Sequence, residues 1–224
     1  RQRYEWPMNA VDGSRTLVPS QAEQAYKSLE HALVTLEFAP GTIVSEGRLI
    51  ESVGLGRTPV REAMQRLAHQ ELIQVLPRKG LLITPIRRQD LLHVLEARKP
   101  LEQLIVHRAA LNARDEQRSG LSSIARALSI SHEDFEGFLQ LDNELDDLLD
   151  ACAGNPFASA AVAPLRTHCR RFWFFYRDRL QLSDAITAHS KMIRLIARRD
   201  YNGAVKASDA VINALERLVA TLEQ

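Results

Sequence analysis

Residues 54–59, Gly-Leu-Gly-Arg-Thr-Pro, limit what this chain can fold into more than any other run. They separate two short amphipathic segments. Ser45 is suited to cap the first segment, which runs to Val53 and gathers Leu49, Ile50 and Val53 on one face. Gly54 ends it. Thr58 is the expected cap of the second segment, with Pro59 at its first helical position, where a missing N–H is harmless. That helix is expected from Pro59 to about Gln70, burying Val60, Ala63, Met64 and Leu67. Two helices joined by a glycine-containing turn make a helix-turn-helix.

The flanks extend the pattern. An earlier helix begins at Gln21, carries Ala25, Leu29, Ala32, Leu33 and Leu36 at helical spacing, and is expected to break at Pro40-Gly41. After the third helix, 72–76 and 81–84 are short apolar runs around Pro77-Arg78-Lys79-Gly80, a β-hairpin with a basic tip. Three helices and a hairpin predict a winged helix-turn-helix over 21–86, preceded by an aperiodic tail or arm, 1–20.

From residue 87 no strand pattern appears, and 87–224 reads as an all-α bundle of six or seven helices. Expected helices are 90–111, kinked by Pro100; 117–127; one opening at Ser131 or His132 and closing at Ala153 before Gly154-Asn155-Pro156; 157–179, with a break near Pro164; 182–199; and 201–222. The fold class is therefore mainly α. The aromatic run Phe172-Trp173-Phe174-Phe175-Tyr176 points all round its helix and serves either core packing or a subunit interface or pocket wall.

Charge supports nucleic-acid binding. The chain carries a net +1, yet 57–88 alone carries +5, with seven arginines and lysines against Glu62 and Glu71. So modest a net charge argues against a nucleoid-type structural protein. Arginines at the start of the second helix of a helix-turn-helix reach base edges and can grip guanine bidentately. Arg57 and Arg61 stand there, with Thr58 at the helix start and Gln65 a turn beyond Arg61. Lys79 and Gly80 at the wing tip are placed to enter a minor groove, where glycine allows close approach.

Other classes recede. No apolar stretch nears the ~18 residues of a membrane span. Cys152 and Cys169 cannot make a disulfide framework or a four-thiolate zinc site and read as buried thiols. With no apolar signal peptide visible, the cytoplasm is the expected location. No Gly-x-Ser-x-Gly, Walker loop or His-Glu-x-x-His is present, so no enzyme is expected. The alternative is a helical enzyme fused to a DNA reader, with Asp142 and Asp146 as an acid/base pair.

The residues Pro40-Gly41, Ser45-Glu46, Leu49-Ile50, 54–64, Arg66-Leu67, Leu72-Ile73 and Pro77-Arg78-Lys79-Gly80 resemble the DNA-binding domain of GntR-family bacterial transcription regulators. The resemblance implies a homodimer on a palindromic operator, with Arg57, Arg61 and Gly80 on DNA-contacting positions and Lys79 beside the wing glycine. Arg48 lies one place from another such position. Gly56 stands where the family often has Ser, so one phosphate-contacting hydroxyl is missing.

The helical half resembles the FCD class of effector domain, through Glu96-Ala97-Arg98, Leu101-Glu102, Leu141-Asp142, Leu145-Asp146, Gly154-Asn155, His189 with Ile193, Arg199-Asp200 and 204–207. In many such domains one Asp and three His hold a divalent metal, and the metal or a nearby arginine grips an organic acid. Here Asp142 matches the Asp, Asp146 stands where the first His is usual, His189 matches the second, and Val211 stands where the third is usual; Asp209 or Asn213 approaches that place after a register change. Such a set favours Mg, Mn or Ca over zinc and weakens affinity. Three readings stay open: a weakened metal site, a metal-free ligand pocket as in the fatty-acid-responsive branch, and two aspartates on a solvated face. Arg98 is the expected ligand anchor, or else pairs internally with Glu96, Glu102 or Asp142. Arg166, Arg170 and Arg171 are further anchors. The expected function is a repressor controlled by a small organic acid.

Overall fold

A computed structural model describes residues 19–130, 134–179 and 182–221. The expected tail therefore lies almost wholly outside the described residues, as do Ser131 and His132.

Helix α1 spans Gln21–Val34, and the Ser20 hydroxyl accepts from the Glu23 amide at 3.1 Å. It stops well before Pro40-Gly41. Leu36 takes a left-handed φ of 60°, and the Glu37 amide donates back to the Ala32 carbonyl at 2.9 Å. This 6→1 closure ends the helix from within. Helix α2, Glu46–Val53, keeps its expected caps: the Ser45 hydroxyl accepts from the Arg48 amide, and Gly54 is left-handed at φ 68°.

Helix α3 spans Arg57–His69 and corrects the expected start. Gly56, not Thr58, occupies the cap, its carbonyl accepting from the Val60 amide at 3.4 Å. Pro59 is thus the third helical residue. The position is harmless because the whole first turn lacks helical acceptors for its amides. Arg57 lies inside the helix rather than before it. Its last turn closes as in α1, with Glu71 left-handed and the Leu72 amide bonded to the Leu67 carbonyl at 3.0 Å.

The wing is a three-stranded antiparallel sheet, not a lone hairpin. Strands β1 (Ile43–Val44), β2 (Ile73–Leu76) and β3 (Gly80–Ile83) lie in the order β1-β3-β2, with Ile43 and Gln74 flanking Leu82. Two residues are too few for an alternating pattern, so β1 left no sequence signal. Gly80 has φ 113°, and a Cβ there would lie 2.5 Å from the Val44 carbonyl oxygen. The glycine is thus required by β1, whatever the DNA demands. Leu29, Leu33, Leu49, Val60, Met64, Leu67, Leu72 and Ile83 fill this unit's core.

The bundle comprises α4 (Arg88–Asn112), α5 (Asp115–Leu128), α6 (Phe135–Ala153), α7 (Pro156–Phe175), α8 (Leu182–Ala197) and α9 (Tyr201–Thr221). A 3-10 turn at Arg177–Arg179 follows α7, in place of the expected last helical turn. No strand follows Ile83 among the described residues. The α4 helix runs unbroken past Pro100 and α7 past Pro164. Pro100 is exposed, as is Glu96, the residue whose carbonyl it leaves without an amide partner, so the lost bond falls on the solvent-facing side of the helix. Helix α4 packs against α6, α7, α8 and α9. In the aromatic run, Phe172, Trp173 and Phe174 are buried in this core and Phe175 is exposed.

The two units meet along α1 and α7. The Thr167 hydroxyl donates to Glu30 at 2.5 Å, and the His168 ring Nε2 bonds the carbonyl of Gln70, at the end of α3, at 2.8 Å. Val34 of α1 belongs to the bundle core.

Candidate functional site

The exposed face of α3 carries Arg57, Thr58, Arg61 and Gln65, while Val60, Ala63, Met64 and Leu67 anchor the opposite face. The wing tip presents Arg78 and Lys79 to solvent, and Arg48 is exposed on α2 near the Phe38 ring. Between α3 and the wing lies a groove walled by Arg61, Gln65 and Arg78. Arg61 does not wave freely: its Nε donates to Glu46 of α2 at 2.6 Å. Arg66 is directed elsewhere, lying 3.5 Å from the Tyr26 ring centre and donating to Glu23 at 2.7 Å. The arrangement suits a helix laid in a major groove with the wing beside it.

The bundle holds a second constellation, of buried charges. Arg98 bonds Glu102 at 2.8 Å. Arg166 grips the same carboxylate bidentately, 2.9 Å on each side, and reaches Asp150 at 3.1 Å and Asp146 at 3.2 Å. Arg170 donates to Asp142 at 3.0 Å and also to Asp146. His189 faces Asp142 at 3.1 Å with Nε2 and the Ala185 carbonyl at 2.7 Å with Nδ1. Asp142 and Asp146 are buried, which overturns the reading of a solvated face.

The electrostatics are mutual. Burial raises the Glu102 carboxyl, but Arg166 and Arg98 together hold it below the usual carboxylate range. Burial likewise opposes ionisation of Asp142, and the His189 bond and Arg170 charge more than offset it. Asp146 differs. Burial, with Asp142 and Glu102 nearby, outweighs Arg166 and Arg170 and lifts it to about 6. Burial disfavours the His189 imidazolium, yet both ring nitrogens face oxygen acceptors, and the ring titrates above its usual value.

These donors do not fit the metal that the resemblance implies. The Arg170 guanidinium is the cation bridging Asp142 and Asp146. Both His189 nitrogens already meet oxygens, and Val211 is buried in α9 without a donor. Among the described residues no three His, Cys, Asp or Glu side chains converge as a ligand set. Arg98, the expected anchor, is paired with Glu102, one of its expected internal partners. Sequence reasoning missed Asp150, and missed that Arg166 shares Glu102.

The FCD domain family matches residues 93–214, and the bacterial regulatory proteins of the gntR family match 21–83. This chain belongs to the gntR family of bacterial regulatory proteins. It is a DNA-binding transcriptional regulator of the GntR/FCD type. It is 23% identical to the HTH-type transcriptional repressor RspR of Escherichia coli K12, over 90% of each chain. It is 31% identical to the HTH-type transcriptional regulator YdhC of Bacillus subtilis, over 56% of this chain and 58% of that one. The solved E. coli McbR/YncC shares the fold, with TM-score 0.81 and 17% identity over 92% of this chain and all of that one. No helix among the described residues is long and apolar enough to cross a membrane.

Proposed function

We propose that this GntR-family regulator is a homodimeric, cytoplasmic repressor whose operator affinity is set by a small organic acid bound at the buried charge cluster of the bundle. One observation carries the reading. Arg166, Arg170 and Asp146 line a cleft of about 710 Å³ that is also lined from the DNA reader, by Tyr26 and Glu30 of α1 and Arg66 of α3. A ligand there touches both units at once. In the same cleft, Thr167 reaches Glu30, which shares Tyr26 with Gln70 at the end of α3.

Asp146 is the least firmly ionised carboxylate on Arg170, so it is the one an incoming carboxylate displaces. Displacement loosens or re-aims the α1–α7 contact. The effector then biases the relative arrangement of the two readers in a dimer, as it must if it binds the two states unequally. Naming a repressor rests on relatives such as RspR and the gluconate operon transcriptional repressor of Bacillus licheniformis, 29% identical over 41% of this chain.

The test is operator binding by fluorescence anisotropy across a panel of carboxylic acids, with the wild type and Arg170→Gln. An acid that weakens wild-type binding at least about tenfold and leaves the variant unaffected supports the reading. A variant that folds, binds operator and responds like wild type sinks it.

A further inference from the structure

Arg171, next to Arg170 on α7, points to the junction between the units and is chemically unlike its neighbour. It is 2% exposed. Its Nη2 donates to the Thr84 carbonyl at 2.5 Å, and its Nε is buried with no hydrogen-bond partner. Among the described residues no carboxylate lies within 4.0 Å of this guanidinium. A buried cation with only a backbone carbonyl is costly, and proteins nearly always give such a group an anion. Burial alone pushes its titration down to about 10, so it is still charged at neutral pH.

Beside it is a cavity of about 270 Å³ that no part of the charge cluster enters. Its polar lining comprises Arg171, Arg87, His93 and His168, together with the exposed Glu71 and Asp90. Its apolar lining includes Val94, Leu165 and Phe172. Thr84 and Pro85, of the segment leading from β3 to α4, also line it. The two exposed carboxylates disfavour multiply charged anions. Since a water occupies ~30 Å³, there is room for a molecule of several carbons.

We infer that this junction cavity is a binding site for a small monocarboxylate, its carboxylate on the Arg171 guanidinium and its hydrocarbon tail against Val94, Leu165 and Phe172. The guanidinium fork matches a carboxylate, and the apolar lining selects a short-chain acid over inorganic phosphate. The site is separate from the Arg170 cluster and stands whether or not that cluster binds an effector. Because Arg171 also holds Thr84, occupancy is communicated to the wing side of the DNA reader.

The experiment follows the arginine Nε–Hε resonances of the full chain, labelled with nitrogen-15, during titration with butyrate at constant ionic strength. The resonance missing from Arg171→Lys is expected to shift saturably with butyrate and little with chloride or phosphate. Arg87→Gln, a surface change, should weaken the titration about two- to five-fold. Should Arg171→Lys fail to fold, wild-type crystals grown with 2-bromobutyrate give the same answer through bromine anomalous scattering beside Arg171. An Arg171 resonance that butyrate leaves unmoved, an equal response to chloride or phosphate, or bromine absent from the junction overturns the proposal.

Discussion

Arg61 of α3 donates from Nε to Glu46 of α2 at 2.6 Å, which joins the two helices of the helix-turn-helix through the side chain best placed to read bases. Both residues are substantially exposed, so the pair contributes little to stability. Its effect is orientation: Nε is held by Glu46, which restricts where the rest of the fork points.

Replacing Arg61 with Ala should therefore leave the thermal unfolding curve nearly unchanged and cut specific operator affinity by about tenfold to a hundredfold, the worth of one bidentate base contact. Non-specific DNA affinity should fall far less. Glu46→Gln, which keeps a hydrogen-bond acceptor but removes the charge, should fall between wild type and Arg61→Ala. Anisotropy with operator and scrambled duplexes checks this, and an unchanged operator affinity in Arg61→Ala contradicts the placement of α3.

The cluster gives stability opposing dependences on pH. Asp146 titrates higher folded than unfolded, so its contribution is fullest at low pH and is lost as pH rises from about 4 to 6. His189 is also raised, and its contribution is lost as pH rises through a folded value above 6.5. Asp142 is lowered, so its contribution is present above its ordinary value and lost on acidification. Denaturant unfolding from pH 4 to 8 should show Asp146→Asn gaining on wild type between pH 4 and 6. The deficit of His189→Gln should shrink above pH 7. Parallel profiles for all three proteins would refute the assignment.

Gly80 offers a way to separate folding from recognition. With φ 113° and the Val44 carbonyl oxygen 2.5 Å from a Cβ position, Gly80→Ala should destabilise the free protein by about 2 kcal/mol or more. Differential scanning calorimetry without DNA is the measurement. Were the glycine needed only for approach to a minor groove, the melting temperature of the variant would match wild type.

Helix α8 ends like α1 and α3, with Arg199 left-handed at φ 60° and the Asp200 amide bonded to the Leu195 carbonyl at 3.0 Å. Arg199 is exposed, so Arg199→Gly removes the left-handed penalty without opening a cavity, and the variant should gain about 1 kcal/mol. A loss of stability in urea titration would show that the side chain has a role beyond the turn.

The sequence alone was enough for whatever depends on local spacing. Ser45 and Gly54 bound α2, the period of Val60, Ala63, Met64 and Leu67 sets the buried face of α3, and Arg57 and Arg61 fall on the opposite face because a helix repeats every 3.6 residues. The loss of strand pattern after the wing was equally readable, as was the strong stop at Asn155-Pro156. Local rules failed where a less common residue stood in for the usual one. Leu36, Glu71 and Arg199 take the left-handed positions that normally signal themselves as glycine, and Gly56 caps a helix beside a better capping residue.

Only the tertiary structure decided which charges meet. Arg166 and Glu102 are 64 residues apart, and Thr167 and Glu30 are 137 apart. An arginine in a sequence advertises a charge and a fork, not a partner, and a buried guanidinium takes whichever carboxylate the packing of helices brings within reach. That packing, and not the motif, placed Arg170 between two aspartates and left Arg171, one residue on, with no carboxylate within 4.0 Å among the described residues.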